Sequence, residues 1–406
     1  MRLKNLILKN IGPFKEAVLD FISNERELEY PPVICITGEN GTGKSIILDA
    51  IRALFEGRFK SIEREIASAE NFLIETNLII NESNKIFSTS RKYERNESFD
   101  TNDMNINQLF HSQFEPKYKK DFILDYWTSK LSNDSFSINS ITTVEAKKYL
   151  DESLSGIHKN IDLSKLISFF DYLKDSTNEQ EKELGSSLYS LLEKIINLSI
   201  SHGKLSHVSR INLKPIIKIG NNEVSLDKLS SGNLYLIQRF TSLLSQVYSI
   251  CTLNNKPIAD YKNIKGLLLI DEAENHLHPK WQKVFLSNIL TLFPKLQIIV
   301  STHSPFIVSS ILNTRVYVCK SQVDYSLVEE ETDYYINKPI EEILLSPLFN
   351  TNNFSFGISM LIEERKAAIH NNNTEKVKEI ENQLLKINPE YFNYLNLDTI
   401  LKSIKK

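Results

Sequence analysis

Residues Gly38-Glu39-Asn40-Gly41-Thr42-Gly43-Lys44-Ser45 carry the spacing G-x-x-x-x-G-K-S. Each part of that pattern has work to do at a phosphate. The glycines let backbone N–H groups turn inward onto phosphate oxygens, and a helix starting near Gly43 adds its positive end. Lys44 offers a point charge to the β- and γ-phosphates, and the Ser45 hydroxyl is a ligand for Mg²⁺. Three of the 12 glycines fall within these eight residues, so the loop is not a by-product of general glycine richness. The apolar run Val33-Ile34-Cys35-Ile36-Thr37 before the loop predicts a strand. Ile46, Ile47, Ala50, Ile51, Leu54 and Phe55 after it fall at helical spacing. Strand, loop and helix in that order predict a site for a nucleoside triphosphate with Mg²⁺.

The chemistry needs acidic partners, and the sequence offers them far downstream. Gly266-Leu267-Leu268-Leu269-Ile270 reads as a strand buried on both faces, ending in Asp271-Glu272. A carboxylate at that point can hold Mg²⁺ opposite the loop hydroxyl, which assigns Asp271. Its neighbour Glu272 is placed to accept a proton from the attacking water. An acidic pair alone is ordinary helix N-terminal charge; with the phosphate loop in the same chain, catalysis is the better reading. Leu229-Ser230-Ser231-Gly232-Asn233 precedes a helical pattern of Leu236, Ile237, Phe240, Leu243 and Leu244. That start is either a second anion site or a plain helix cap. Gln297-Ile298-Ile299-Val300-Ser301 predicts another buried strand, followed by Thr302-His303-Ser304-Pro305.

Taken in order, these motifs resemble the ABC-type ATPase heads, which include the SMC and RecF proteins. Closer likeness to the OLD-like and AAA15-like bacterial ATPases rests on Asn10-Ile11-Gly12-Pro13-Phe14, Leu229-Ser230-Ser231-Gly232, Asp271 through Pro279, and Ser301 through Phe306. The resemblance spans roughly residues 1–320 with interruptions. It implies that Ser230, Ser231 and Gly232 form a signature that closes on the nucleotide of another subunit. It also implies that His303 contacts the γ-phosphate as a switch histidine and that Ala273–Pro279 form the D-loop. Asn233 stands where the family often has Gln or Glu. For the Q-loop glutamine, Gln108 and Gln113 are both candidates.

These residues need a scaffold, and the expected fold is α/β. It is a P-loop NTPase head of ABC type with an antiparallel β lobe, a helical insertion and a C-terminal helical hairpin. Residues 2–21 read as two strands around Gly12-Pro13, and Leu73–Ile80 with Lys85–Ser90 as a hairpin through Asn81–Asn84. The Asn-rich stretch 92–118 reads as loops, and Phe122–Trp127 as a buried strand. From 144 to 201 the apolar spacing turns helical but lacks sustained heptads, which predicts a compact insertion. Lys194, Lys204, Arg210, Lys214 and Lys218 occur between Lys194 and Asn222 without Asp or Glu. That stretch reads chiefly as a solvated face, with contact to DNA as the alternative. The head is expected over 1–335 and a helical region over 336–406, with helices near Ile358–His370 and Thr374–Lys386.

Composition excludes several classes. Net charge is −3, so the chain as a whole is no electrostatic magnet for nucleic acid. Cys35, Cys251 and Cys319 are too scattered for a disulfide framework or a zinc cluster. No apolar run approaches the ~20 residues that cross a bilayer, which by default gives a cytoplasmic address and no membrane partner. OLD nucleases continue into a Toprim domain that requires an Asp-x-Asp pair, and no such pair occurs here. The resemblance therefore narrows to the PtuA-like ATPases of anti-phage systems, Septu and retron-associated. It implies a homodimer or higher oligomer with composite ATP sites, serving a separate nuclease effector. The alternative is a RecF-like repair ATPase that clamps DNA.

Overall fold

In chain order, β1 (Arg2–Leu3), β2 (Asn5–Ile11) and β3 (Phe14–Asp20) lead to β4 (Val33–Gly38) and helix α1 (Lys44–Glu56). There follow β5 (Leu73–Ile80), β6 (Ser83–Tyr93), β7 (Ser98–Thr101), α2 (Met104–Gln108) and β8 (Ile123–Trp127). Helices α3 (Lys148–Asp151), α4 (Asn160–Lys174) and α5 (Glu179–Ser199) precede β9 (Gly203–Val208), β10 (Pro215–Ile219) and β11 (Asn222–Ser225). Then come α6 (Ser231–Leu253), β12 (Gly266–Ile270), α7 (Pro279–Leu292) and β13 (Leu296–Ser301). Short α8 (Pro305–Val308), β14 (Arg315–Ser321), β15 (Ser326–Glu330) and α9 (Thr332–Tyr335) complete this part. The computed structural model describes residues 1–22, 32–94, 97–111, 114, 118–312, 314–349 and 354–395. The chain divides into two units, Met1–Ile340 and Glu341–Lys406.

Burial pattern separates two kinds of strand. β4, β8, β12 and β13 are buried at every position, as strands covered on both faces must be. They form the central sheet in the order β15-β14-β4-β13-β12-β8, parallel throughout except for the β15 edge. By contrast, β5 alternates strictly between buried and half-buried positions, the mark of an antiparallel sheet with one core face. It lies in the second sheet, β3-β2-β5-β6-β7, with β1 also paired to β5.

Helix α1 is what both sheets pack on. Its Ile47, Leu48, Ile51, Leu54 and Phe55 share one core with Leu6 and Leu8 of the lobe and Leu267 and Ile299 of the central sheet. A helix apolar around most of its circumference is stable only when covered on most sides. Each such side chain contributes about 1.5–3 kcal/mol on full burial. The phosphate loop therefore leads into the most enclosed helix of the unit.

Local structure departs from expectation in three places. The β5–β6 turn is two residues, Asn81 and Glu82, both at positive φ, so β6 begins at Ser83 rather than beyond Asn84. The stretch 92–118 is not all loop, since it contains β7 and α2. Asp103 caps α2 by accepting from Asn105 N–H. Buried Asn107 donates to the carbonyls of Leu54 and Phe55 at 2.6 and 2.9 Å, closing the C-terminal end of α1. Finally, the basic stretch contains β9 and β10, which with β11 form a three-stranded sheet. There Arg210 pairs with Asp171 and Asp175, and Lys214 with Asp227. The expected helical insertion appears as α4 and α5.

Within the second unit, α10 (Ile340–Leu344) begins at the boundary, and α11 (Phe356–His370), α12 (Thr374–Ile387) and α13 (Pro389–Phe392) follow. Asn373 caps α12 across the Asn371–Asn373 break. Ile380, Leu384, Phe392 and Leu395 form its small core with Ile358, Leu361 and Ile362.

One buried side chain ties the lobe to the central sheet. Gln297 on β13 accepts from Leu3 N–H and donates to Leu3 C=O, both at 2.9 Å. Replacing it by Ala leaves both backbone groups without partners away from water. Gln297→Ala should lower unfolding free energy by about 2–3 kcal/mol, read as a shift in urea midpoint.

Candidate active site

Parallel pairing sets the place of the site. Val300 of β13 lies beside Ile270 of β12 on one side and Cys35 of β4 on the other. The ends of these strands therefore reach one edge of the sheet together. β4 has β13 on one side and β14 on the other, and such a branch point opens a crevice beyond the carboxyl ends of the strands. The phosphate loop, Asp271-Glu272 and Thr302-His303 all begin there.

The loop itself is built around backbone that only glycine tolerates. Gly38, Gly41 and Gly43 have φ of 142°, 80° and 100°. A Cβ on Gly38 would sit 2.3 Å from the Cys319 carbonyl oxygen, and one on Gly43 2.6 Å from the Phe14 ring. Helix α1 has no side-chain cap and no acidic residue in its first turn, so its first N–H groups are left for an anion. Lys44 is buried, and its ammonium donates to the carbonyls of Gly38 at 3.1 Å and Glu39 at 2.8 Å. Burial lowers its pKa, while Cys319, Glu274, Asp271 and Glu272 oppose that shift. Thr42 is held by its hydroxyl on the Glu39 carbonyl, and Glu39, Asn40 and Gly41 form the exposed rim.

Opposite the loop, Ser45 Oγ donates to Asp271 Oδ1 at 2.8 Å, joining positions 226 apart. Ser301 Oγ donates to the same oxygen at 2.5 Å and accepts from Glu272 N–H at 2.9 Å. A hydroxyl and a carboxylate facing each other beside a phosphate loop are the hard oxygen donors that Mg²⁺ prefers. Glu272 has φ 52°, a conformation rare for residues with a side chain. Its Oε2 accepts from Asn275 Nδ2 at 2.6 Å. A carboxylate held there can take a proton from water attacking the γ-phosphate.

His303 reaches the same edge. Burial lowers its pKa, and Lys44 adds to the effect, which favours the neutral ring that can donate one hydrogen bond to a phosphoryl oxygen. Its backbone N–H donates to Glu274 Oε1 at 2.8 Å, and Thr302 Oγ1 donates to Glu274 Oε2 at 2.5 Å. Ser230, Ser231 and Gly232 are in a different setting. Ser230 caps α6 by accepting from Asn233 N–H at 3.4 Å, the plain-cap geometry. Ser231 begins that helix, and Gly232 lies so close to His276 that a Cβ would meet its carbonyl oxygen at 2.5 Å. Gly232 thus packs on the chain's own Ala273–Pro279 segment.

Sequence reasoning gave no role to Ser301 or Thr302 and placed Glu274 only as a member of the D-loop. Their signal was adjacency to motif residues, but each acts through a partner more than 25 positions away. Of the Q-loop candidates, Gln108 closes α2 and Gln113 lies outside the described residues. Among the described residues no group of His, Cys, Asp or Glu is arranged to hold a metal by itself. Phosphate oxygens and water would have to complete a Mg²⁺ shell.

A parallel core with a phosphate loop after β4, an antiparallel lobe, a serine-capped α6 and an acidic pair at the end of β12 define a P-loop ATPase head of ABC type. Over residues 33–309 the chain matches, and belongs to, the family described as "AAA domain, putative AbiEii toxin, Type IV TA system". The chain is an ATPase of this class. It is 26% identical to "Retron Vc95 probable ATPase" of Vibrio cholerae serotype O1 biovar El Tor, over 80% of this chain and 74% of that one. It is 27% identical to "Septu protein PtuA" of Bacillus thuringiensis, over 76% and 73%. Among solved structures, the SMC head domain from Thermotoga maritima aligns with TM-score 0.45 and 17% identity, over 81% of this chain and 99% of that one.

Ser301 gives a test of this geometry. Ser301→Ala removes two hydrogen bonds that fix Asp271 and Glu272, a loss of about 1–1.5 kcal/mol. It should lower kcat roughly tenfold while fluorescent-ATP titration changes little.

Proposed function

We propose that this chain is the ATP-binding and hydrolysing subunit of a bacterial anti-phage defence complex, holding a separate nuclease effector and controlling it through nucleotide state. The observation that carries the reading is the 2.8 Å contact between Ser45 and Asp271 beside an uncapped helix N-terminus. The names of its retron and Septu relatives point from ATPase chemistry to defence.

In this reading the loop N–H groups of Gly38 to Gly43 and the N-terminus of α1 hold the phosphates. Lys44 leaves the two carbonyls it bonds now and meets the β- and γ-oxygens. Ser45 and Asp271 would hold Mg²⁺, which would supply positive charge to the phosphates. Glu272 orients the attacking water and takes its proton, and His303 donates to the γ-phosphate. Ser230, Ser231 and Gly232 face the nucleotide of a second copy, which makes the active unit a homodimer or larger. Among the described residues no helix is long and apolar enough to cross a membrane.

Binding and hydrolysis separate by mutation. Lys44→Ala should abolish measurable ATP binding, whereas Glu272→Gln should bind ATP and turn over at least ~100-fold more slowly, the usual cost of losing a general base. Glu272→Gln hydrolysing at the wild-type rate would place the base elsewhere. Both variants should fail to protect cells from phage when expressed with their neighbouring genes, and wild type should co-purify a nuclease. Recovery of recombination proteins instead would favour DNA repair.

The composite site has its own test. Ser230→Arg leaves the phosphate loop untouched, so ATP binding should persist while hydrolysis is lost. Mass photometry of Glu272→Gln with ATP should report a dimer or larger. A strict monomer that hydrolyses at full rate at any protein concentration would rule out a role for Ser230, Ser231 and Gly232 at a partner's nucleotide.

A further inference from the structure

Beyond Ser301 the β13 strand runs out of ladder partners. Thr302 N–H makes the last bond to β4, on the Ile36 carbonyl at 3.0 Å. From there the segment is pinned by side chains of the stretch between β12 and the body of α7. Glu274 uses both carboxylate oxygens, one on His303 N–H and one on the Thr302 hydroxyl. Thr302 Oγ1 in turn accepts from Ser304 N–H at 2.9 Å, and Ser304 Oγ donates to Gln282 at 2.6 Å. Gln282 also donates to the carbonyls of Leu277 and Glu274, at 2.8 and 3.3 Å, so the carboxylate is itself carried on a fixed backbone. Thr302 is fully buried and Ser304 nearly so, while Glu274 and His303 are half-buried.

We propose that Glu274 is the positioning residue for His303, holding its backbone where the ring meets the γ-phosphate. The proposal rests on the ATPase reading above and deepens it. Glu274 acts through His303 and does not touch the nucleotide. Two contacts from one planar group fix position and direction together, whereas one leaves a free rotation; an amide at this position keeps both, its oxygen on His303 N–H and its NH2 on the Thr302 hydroxyl oxygen. Misplacement of a catalytic group by about 1 Å can cost on the order of 100-fold in rate.

Steady-state ATPase assays and ATP-binding titrations on the full chain test this with Glu274→Ala, Glu274→Gln, His303→Ala and the Glu274→Ala/His303→Ala double variant. Glu274→Ala should lower kcat to about the level of His303→Ala, roughly 10- to 100-fold, with ATP affinity within about threefold. The double variant should be no slower than His303→Ala alone, because residues that act as one unit are not additive. Glu274→Gln should recover most of the rate, since its amide oxygen still accepts from His303 N–H. A Glu274→Ala enzyme at the wild-type rate, or a double variant slowed by the product of the single effects, would overturn the proposal. Should Glu274→Ala fail to fold, Thr302→Val replaces it: its slowing should vanish in the His303→Ala background, and an additive loss would overturn the proposal. A wild-type chain that neither binds nor hydrolyses ATP would overturn the underlying ATPase reading instead.

Discussion

Because β12, β13 and β4 pair in parallel and in register, three segments remote in sequence arrive at one edge without any loop having to search for another. Every polar contact of the site depends on that arrangement. Asp271 follows Ile270 directly, Thr302 follows Ser301, and the phosphate loop follows Gly38. The hydrogen bonds among Ser45, Asp271 and Ser301 are therefore made by residues whose backbones lie in a buried strand, directly beyond one, or in the first turn of a buried helix. A site on such supports loses little conformational entropy when it binds a ligand.

The two helices that begin at polar motifs make opposite use of their N-termini. α1 is preceded by Gly43 in left-handed backbone and has no side-chain cap. α6 is capped by Ser230 from within its own chain. An uncapped terminus next to a buried Lys44 is an anion site waiting for charge. The serine cap takes one of the free N–H groups of α6, that of Asn233, and a ligand from another subunit would have to compete with that cap for it. This contrast explains why the phosphate loop was readable as a binding site from sequence, while Ser230-Ser231-Gly232 was readable equally as a cap.

What the sequence made legible was whatever is encoded by neighbours. Continuous apolar runs named β4, β8, β12 and β13, and the glycine spacing named the loop. Elements missed were those whose residue types serve distant partners. Asn107 looked like loop composition, yet its amide closes the end of α1. The strands of the β9–β11 sheet are short, and each sends few side chains inward: Leu205 and Ile217 face the interior while Lys204 and Lys218 face solvent. That reads as polarity before it reads as a strand. Ser301 and Glu274 were hidden for the same reason, since a serine ending a strand or a glutamate in a turn carries no local sign of the carboxylate or amide it will meet.

One short segment, Asp271 to Pro279, touches the start of α1, the end of β13 and the start of α6. Asp271 meets Ser45, Glu272 meets Asn275, and Glu274 meets His303. His276 lies with its ring on Tyr235, its Nε2 at the Ser129 carbonyl and its own carbonyl against Gly232. Two residues of this segment, Glu272 and His276, sit in left-handed backbone, and such conformations persist only where surrounding contacts over-determine them. Close-packed contacts of this kind do not stretch gradually. A shift of α6 would press directly on the His276 carbonyl, four residues along from the proposed base. Whatever seats α6 is thereby joined, within one chain, to the carboxylates at the phosphate edge.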